Sequence, residues 1–171
     1  MRVRPYAAAD LDALIALFRN SVRLVARRDY SAEQLLAWAP DEVDREDWAL
    51  RLAASRTWVA MLDDRVAGFA SLWSEGHIDM LYVHAELQRR GVGSALLRQV
   101  ESAARALGIA GLFTEASITA KPFFERRGFQ VIEAQTVARR GVALTNFRMT
   151  RRLFWANPLN NRSECASRRN L

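Results

Sequence analysis

Leu81-Tyr82-Val83-His84-Ala85-Glu86-Leu87-Gln88-Arg89-Arg90-Gly91-Val92-Gly93-Ser94-Ala95-Leu96-Leu97 is the most informative run in this chain. An apolar strand ending at Val83 enters a short loop. Gly91 and Gly93 then open a helix whose apolar stripe starts at Leu96 and Leu97. The first N–H groups of a helix have no partner inside it and carry partial positive charge. Glycine lets an anion come close to such a backbone. Arg89 and Arg90 add charge beside it. Together these residues form a cradle suited to a pyrophosphate. A Walker loop requires Gly-Lys-Ser/Thr, and the dinucleotide fingerprint requires a third glycine; neither is met here. Taken alone, the run also fits a glycine-rich turn on a basic surface.

On the N-terminal side, Arg2 to Tyr6 reads as a strand. Leu11, Leu14, Ile15, Phe18, Val22 and Val25 then follow at helical spacing, with Asp10 at the N-cap position and an end near Arg28. Ser31 starts a second helix that Pro40 ends, and Arg45 to Ala54 is a third. Thr57 to Leu62 and Arg65 to Trp73 form a hairpin across Asp63-Asp64. His77 to Val83 is the strand that enters the cradle.

On the C-terminal side, Gly91 to Leu107 is a helix closed by Gly108. Ile109 to Ala116 is a strand, and Thr119 to Arg127 is a helix that Gly128 ends. Phe129 to Arg139 and Leu144 to Leu153 make a last hairpin. This order predicts an α/β fold over residues 1–154, a single mixed sheet with helices on both faces. Beyond that, over 155–171, periodicity stops and Asn, Ser and Arg dominate, so a poorly ordered tail is expected.

The 171 residues suit one domain, half of them hydrophobic and 26% charged. Net charge is +6, but only one of the 25 basic residues is a lysine, Lys121. Arginine and alanine enriched together look like coding bias, so charge is discounted as a sign of nucleic-acid binding, and no aromatic-studded basic stripe appears. One cysteine, Cys165, excludes a disulfide framework and a multi-cysteine zinc site, and two histidines leave no His-rich metal cluster. No metal is expected. No apolar run approaches the ~20 residues of a membrane helix, and the N-terminus lacks a secretory signal, so neither membrane nor export is expected and the default location is cytoplasmic.

Gln88-Arg89-Arg90-Gly91-Val92-Gly93 resembles the Gln/Arg-x-x-Gly-x-Gly/Ala signature of the GCN5-related N-acetyltransferase (GNAT) family. Ala120-Lys121-Pro122-Phe123-Phe124-Glu125-Arg126-Arg127-Gly128-Phe129 resembles that family's later Ala-x-x-Phe-Tyr-x-x-x-Gly-Phe helix. Trp38-Ala39, Ile78-Asp79-Met80-Leu81, Ala116 to Arg126 and Thr145-Asn146-Phe147 resemble its YafP-like branch. The resemblance spans nearly the whole chain except the tail. It implies a mostly antiparallel sheet with a splayed central strand pair, and transfer of acetyl from acetyl-CoA to an amine. It also implies roles for particular residues. Backbone groups of Leu81 and Val83 would hold the acetyl and pantetheine, and amides from Arg89 through Ser94 the pyrophosphate. Lys121, Phe123 and Phe124 would line the far wall, and the N–H of Val83 would meet the thioester oxygen.

An amine is protonated at neutral pH and must lose a proton before it attacks. If the strand alternates, His77, Asp79, Leu81 and Val83 share a face, which makes His77 and Asp79 joint base candidates. A solvated His77 and an arginine-paired Asp79 are the plainer alternatives. The family's usual acid, the Tyr of the Phe-Tyr pair, is replaced by Phe124. Ser117, Tyr82 or unassisted thiolate departure remain, with Ser117 or no acid favoured over Tyr82. Ser117 is also placed as a helix cap. His84 is expected at the surface, Cys165 is a poor nucleophile, and Trp38 and Trp73 are candidates for the acceptor wall. A small-molecule or peptide amine is the expected acceptor, and a monomer or homodimer the expected state. A non-catalytic acyl-CoA-binding module is the alternative, supported by Phe124.

Overall fold

β1 (Arg2–Pro5), β2 (Arg56–Leu62), β3 (Arg65–Leu72) and β4 (Ile78–Val83) lie side by side in that order, each antiparallel to the next. β5 (Gly111–Ser117), β6 (Gln130–Arg139) and β7 (Val142–Arg152) form a second, three-stranded sheet, with β7 between the other two. One parallel bridge, His77 to Phe113, joins the two sheets. Together they make the expected mixed, mostly antiparallel sheet, splayed at its centre. The computed structural model describes residues 1–153. The tail expected over 155–171, with Cys165, lies outside the described residues.

Side chains alternate across the sheet. Val59 and Phe69 pack on one face with Leu14, Leu17 and Phe18. Trp58, Ala60, Ala70 and Leu72 pack on the other with Leu96, Leu97 and Val100. β4 breaks the alternation. Ser71 pairs with Met80 but Leu72 with Ile78, so Asp79 is an extra, bulged residue. Ile78 therefore joins one core and Met80, two residues on, joins the other. The expected shared face of His77, Asp79, Leu81 and Val83 fails at this bulge.

α1 (Leu11–Asn20) runs on through a π-helical turn at Ser21–Val25 and a 3-10 turn at Ala26–Arg28. The expected run to Arg28 is thus one helical path, widened in its middle. Asp10 does not cap α1. It lies in a preceding 3-10 turn, where its carboxylate accepts from the Ala7 N–H at 2.9 Å and twice from Arg4 at 2.7 Å. The Arg4 hydrogen bond holds the Asp10 carboxyl below its ordinary range. α2 (Ala32–Trp38) starts at a capping box between Ser31 and Gln34, and α3 (Arg45–Ala54) is capped by Asp44.

α4 (Val92–Ala106) lies on β3 at Gly68. A Cβ there would stand 2.7 Å from the Tyr82 carbonyl oxygen and 2.9 Å from Val92. The missing side chain brings the start of α4 down onto the end of β4. α5 (Lys121–Glu125) is shorter than the expected Thr119 to Arg127. Among the described residues, no helix is long and apolar enough to cross a membrane.

Candidate active site

β4 and β5 are tied at one end only. The Phe113 N–H donates to Gly76 O at 3.0 Å, and the buried Thr114 hydroxyl donates to Ile78 O at 2.9 Å. Beyond these ties the strands part around a cleft of 530 Å³. The His84 N–H donates to Ala67 O on the β3 side at 2.9 Å. Alternation then turns the backbone groups of Leu81 and Val83 away from β3, into the cleft. Gln88 Nε2 occupies the Val83 carbonyl at 2.9 Å, which leaves the Val83 N–H as the donor on that residue.

The turn before α4 is left-handed at Arg89 (φ 60°) and at Gly91 (φ 81°). No side chain caps the first amides of α4. Arg89, Gly91, Val92, Gly93 and Ser94 line the cleft, as do Phe123 and Phe124 opposite. The Arg90 and Lys121 side chains turn away from this lining, against expectation. Arg90 turns to Asp63 at 3.3 Å, and Lys121 pairs with Glu125 at 3.0 Å and lies over the Phe147 ring; neither side chain lines the cleft. Their place is taken by Arg28, Arg126 and Arg127. Arg127 reaches the Ser94 hydroxyl and covers the Phe123 ring at 5.4 Å. The π-helical turn adds Ser21, Val22 and Val25 to the rim.

At the inner end, His77 stacks on Phe113 and shares a 2.6 Å hydrogen bond, Nε2 to Oε2, with Glu115. Asp79 is fully engaged: Arg51 donates to both oxygens, at 2.7 and 2.5 Å. Tyr82 keeps an edge on the cleft, and burial pushes its hydroxyl up to about 12, so it stays neutral across the working range. Ser117 Oγ accepts the Ala120 N–H at 3.0 Å, which caps the turn and leaves its own hydrogen free to donate. His84 Nδ1 caps the next turn through the Glu86 N–H at 3.3 Å. Of the tryptophans, Trp38 lines the cleft and Trp73 does not.

The model of the acetyltransferase (GNAT) domain matches residues 26–151. The chain belongs to the GNAT acetyltransferase family. Within that family it is 42% identical over 149 residues to the uncharacterized N-acetyltransferase YafP of Escherichia coli (strain K12), covering 87% of this chain and 94% of that one. A GCN5-related N-acetyltransferase structure from Rhodopseudomonas palustris superposes with a TM-score of 0.86 at 39% identity, over 89% of this chain and 95% of that one. The PaiA N-acetyltransferase of Thermoplasma acidophilum, solved in complex with coenzyme A, shares the fold at a TM-score of 0.74 and 20% identity, over 89% and 98%.

Sequence reasoning missed Glu115, Arg28, Arg126 and Arg127 in this GNAT domain. Glu115 lies mid-strand between Thr114 and Ala116, and its neighbour His77 is remote in sequence. The arginines sit in basic pairs that look like any solvated surface. Among the described residues, no group of three or more His, Cys, Asp or Glu side chains is placed to hold a metal.

Proposed function

We propose that this GNAT domain binds acetyl-CoA in the gap between β4 and β5 and transfers the acetyl group to an amine by direct attack. The observation that carries the reading is the one-ended strand pair. It leaves backbone groups of Leu81 and Val83 open along a cleft whose mouth is lined by arginines and by the uncapped start of α4. An extended, amide-bearing pantetheine needs such an open strand edge. A pyrophosphate needs such a mouth.

The His77–Glu115 pair takes the proton from the amine, and the nitrogen lone pair then attacks the thioester carbon. Asp79 holds Arg51 instead of serving as base. The Val83 N–H donates to the oxygen that gains charge. The C–S bond breaks, the electron pair leaves on sulfur as thiolate, and the nitrogen, positively charged after its attack, gives up its second proton to water. The Ser117 hydroxyl, whose hydrogen is not used by the protein, donates to that thiolate. A thiol of pKa ~8.5 also leaves tolerably without a full proton transfer. Phe124, buried and apolar, closes the wall. The test is free-thiol release from acetyl-CoA with and without a panel of amines. Release that requires an amine supports the reading. Tight acetyl-CoA binding with no amine-dependent release would instead make this an acyl-CoA-binding module.

A further inference from the structure

A smaller cavity of 50 Å³ lies beside the main cleft and shares Trp38 and Ser117 with it. Three parts of the chain far apart in sequence supply its walls: Tyr30, Glu115 and the β6–β7 hairpin at Arg139, Thr145 and Asn146. Its floor is fixed. The Tyr30 hydroxyl donates to Thr145 O at 2.6 Å and accepts the Ile118 N–H at 2.9 Å.

Three polar groups of its lining keep bonding capacity that the protein does not use: one is buried, and two, Arg139 and Glu115, are open to solvent. Asn146 Oδ1 is buried with no hydrogen-bond partner. A buried unpaired acceptor is costly unless a ligand donates to it. Arg139 has no carboxylate within salt-bridge reach among the described residues. It lines the smaller cavity on the same wall as Val137. Glu115 binds His77 through one oxygen only, and its side chain is still 35% exposed.

We propose that the acceptor is an amine that also carries a carboxylate within a few bonds of the nitrogen. The proposal rests on the transferase reading and names the substrate class for that site. The amine nitrogen donates to Asn146 Oδ1 and faces Glu115, which takes its proton. The carboxylate binds Arg139, for which the planar guanidinium is a matched two-point donor. The same cation disfavours acceptors with a second positive charge, such as diamines. The small volume admits these polar groups and few further atoms. A longer side chain must leave through the open side.

The experiment compares kcat/KM for α-amino acids with their primary amides, expressed per concentration of free amine, in wild type and in Arg139→Gln. Acetyl-CoA affinity is measured in parallel by calorimetry. Wild type should favour the acids about tenfold or more. Arg139→Gln should bring that ratio close to one, mainly through KM, with acetyl-CoA affinity unchanged. Arg139→Lys should restore part of the preference. A wild-type ratio at or below one, or a ratio that survives Arg139→Gln, overturns the proposal. So does acetylation confined to amines without a carboxylate, which leaves the transferase reading intact. No thiol release with any amine, while acetyl-CoA still binds, overturns both.

Discussion

The two ends of the active-site cleft are built from different material. The mouth is mostly backbone: a left-handed turn at Arg89 and Gly91, the bare start of α4, and a strand edge at Leu81 and Val83. The inner end is mostly side chains: His77 on Glu115, Tyr30 across to Ile118 and Thr145, and Asn146 and Arg139 facing the smaller cavity. Backbone sites are specified locally, by a few residues in a row. Side-chain sites are assembled by topology. The mouth therefore suits a ligand recognised by backbone, and the inner end one recognised by side chains.

That division is testable, beginning where the effect should be greatest. Removing the proton acceptor, by His77→Ala or Glu115→Gln, should lower kcat by about 10²–10⁴-fold at neutral pH. Acetyl-CoA affinity should hold, because neither side chain lines the main cleft. Asp79→Asn should change kcat far less, because its carboxylate already serves Arg51. Steady-state kinetics on the three variants decides this. An Asp79→Asn enzyme as slow as Glu115→Gln would move the base to the bulge.

Phe124 sits where the two ends meet. Its ring is 3% exposed and packs against Phe123 and Phe129. Phe124→Ala should cost about 3–5 kcal/mol in denaturant unfolding. Phe124→Tyr should be tolerated, its hydroxyl directed into the cleft. A tyrosine variant as unstable as the alanine one would show that the ring edge does not reach the cleft.

The frame both ends share depends on Arg4 and Asp10 near the start of α1. Asp10→Asn should cost about 1.5–3 kcal/mol at pH 7, the range for hydrogen bonds to charged groups. Arg4 lowers the Asp10 pKa in the folded state. The native carboxylate thus adds stability above its unfolded value of about 3.9, and that stability is lost as pH falls through the lowered native value. Urea midpoints of variant and wild type should therefore converge in acid. A constant gap from pH 7 to pH 2 would show that charge is not the cause.

At the mouth, Gly91→Val puts a β-branched residue at φ 81°, where a Cβ has open space but the backbone does not tolerate it. The strain of about 1–2 kcal/mol should reshape the turn and weaken acetyl-CoA binding roughly tenfold. The smallest effect belongs to Tyr82→Phe. A hydroxyl near 12 does not titrate between pH 6 and 9, so the pH–rate profile should keep its shape.

How much was legible follows the same division. Gly91, Gly93 and the apolar stripe at Leu96, Leu97 and Val100 announced the turn and the helix after it, because turn chemistry and helical period are local. Arg45 to Ala54 matched its helix for the same reason. The bulge at Asp79 left no local mark, since it depends on the register against Ser71 and Leu72. Assigning His77 and Asp79 to one face therefore failed. Asp10 read as a cap because Asp before an apolar helical run is the usual signal; Arg4, paired through β1, competed for its carboxylate. Arg90 and Lys121 drifted from the site because Asp63 and Glu125 lay within reach. Glu115 was invisible, as a lone acid in a strand gains a partner only once His77 meets Phe113.

The most direct test of the central claim is an amide chemical-shift map of the labelled protein, with acetyl-CoA titrated in. The account predicts the largest shifts at Leu81, Val83, Gly91 and Gly93, with Thr145 and Asn146 little moved until an amine is added. Large shifts confined to the smaller cavity, with Leu81 and Val83 unmoved, would contradict it.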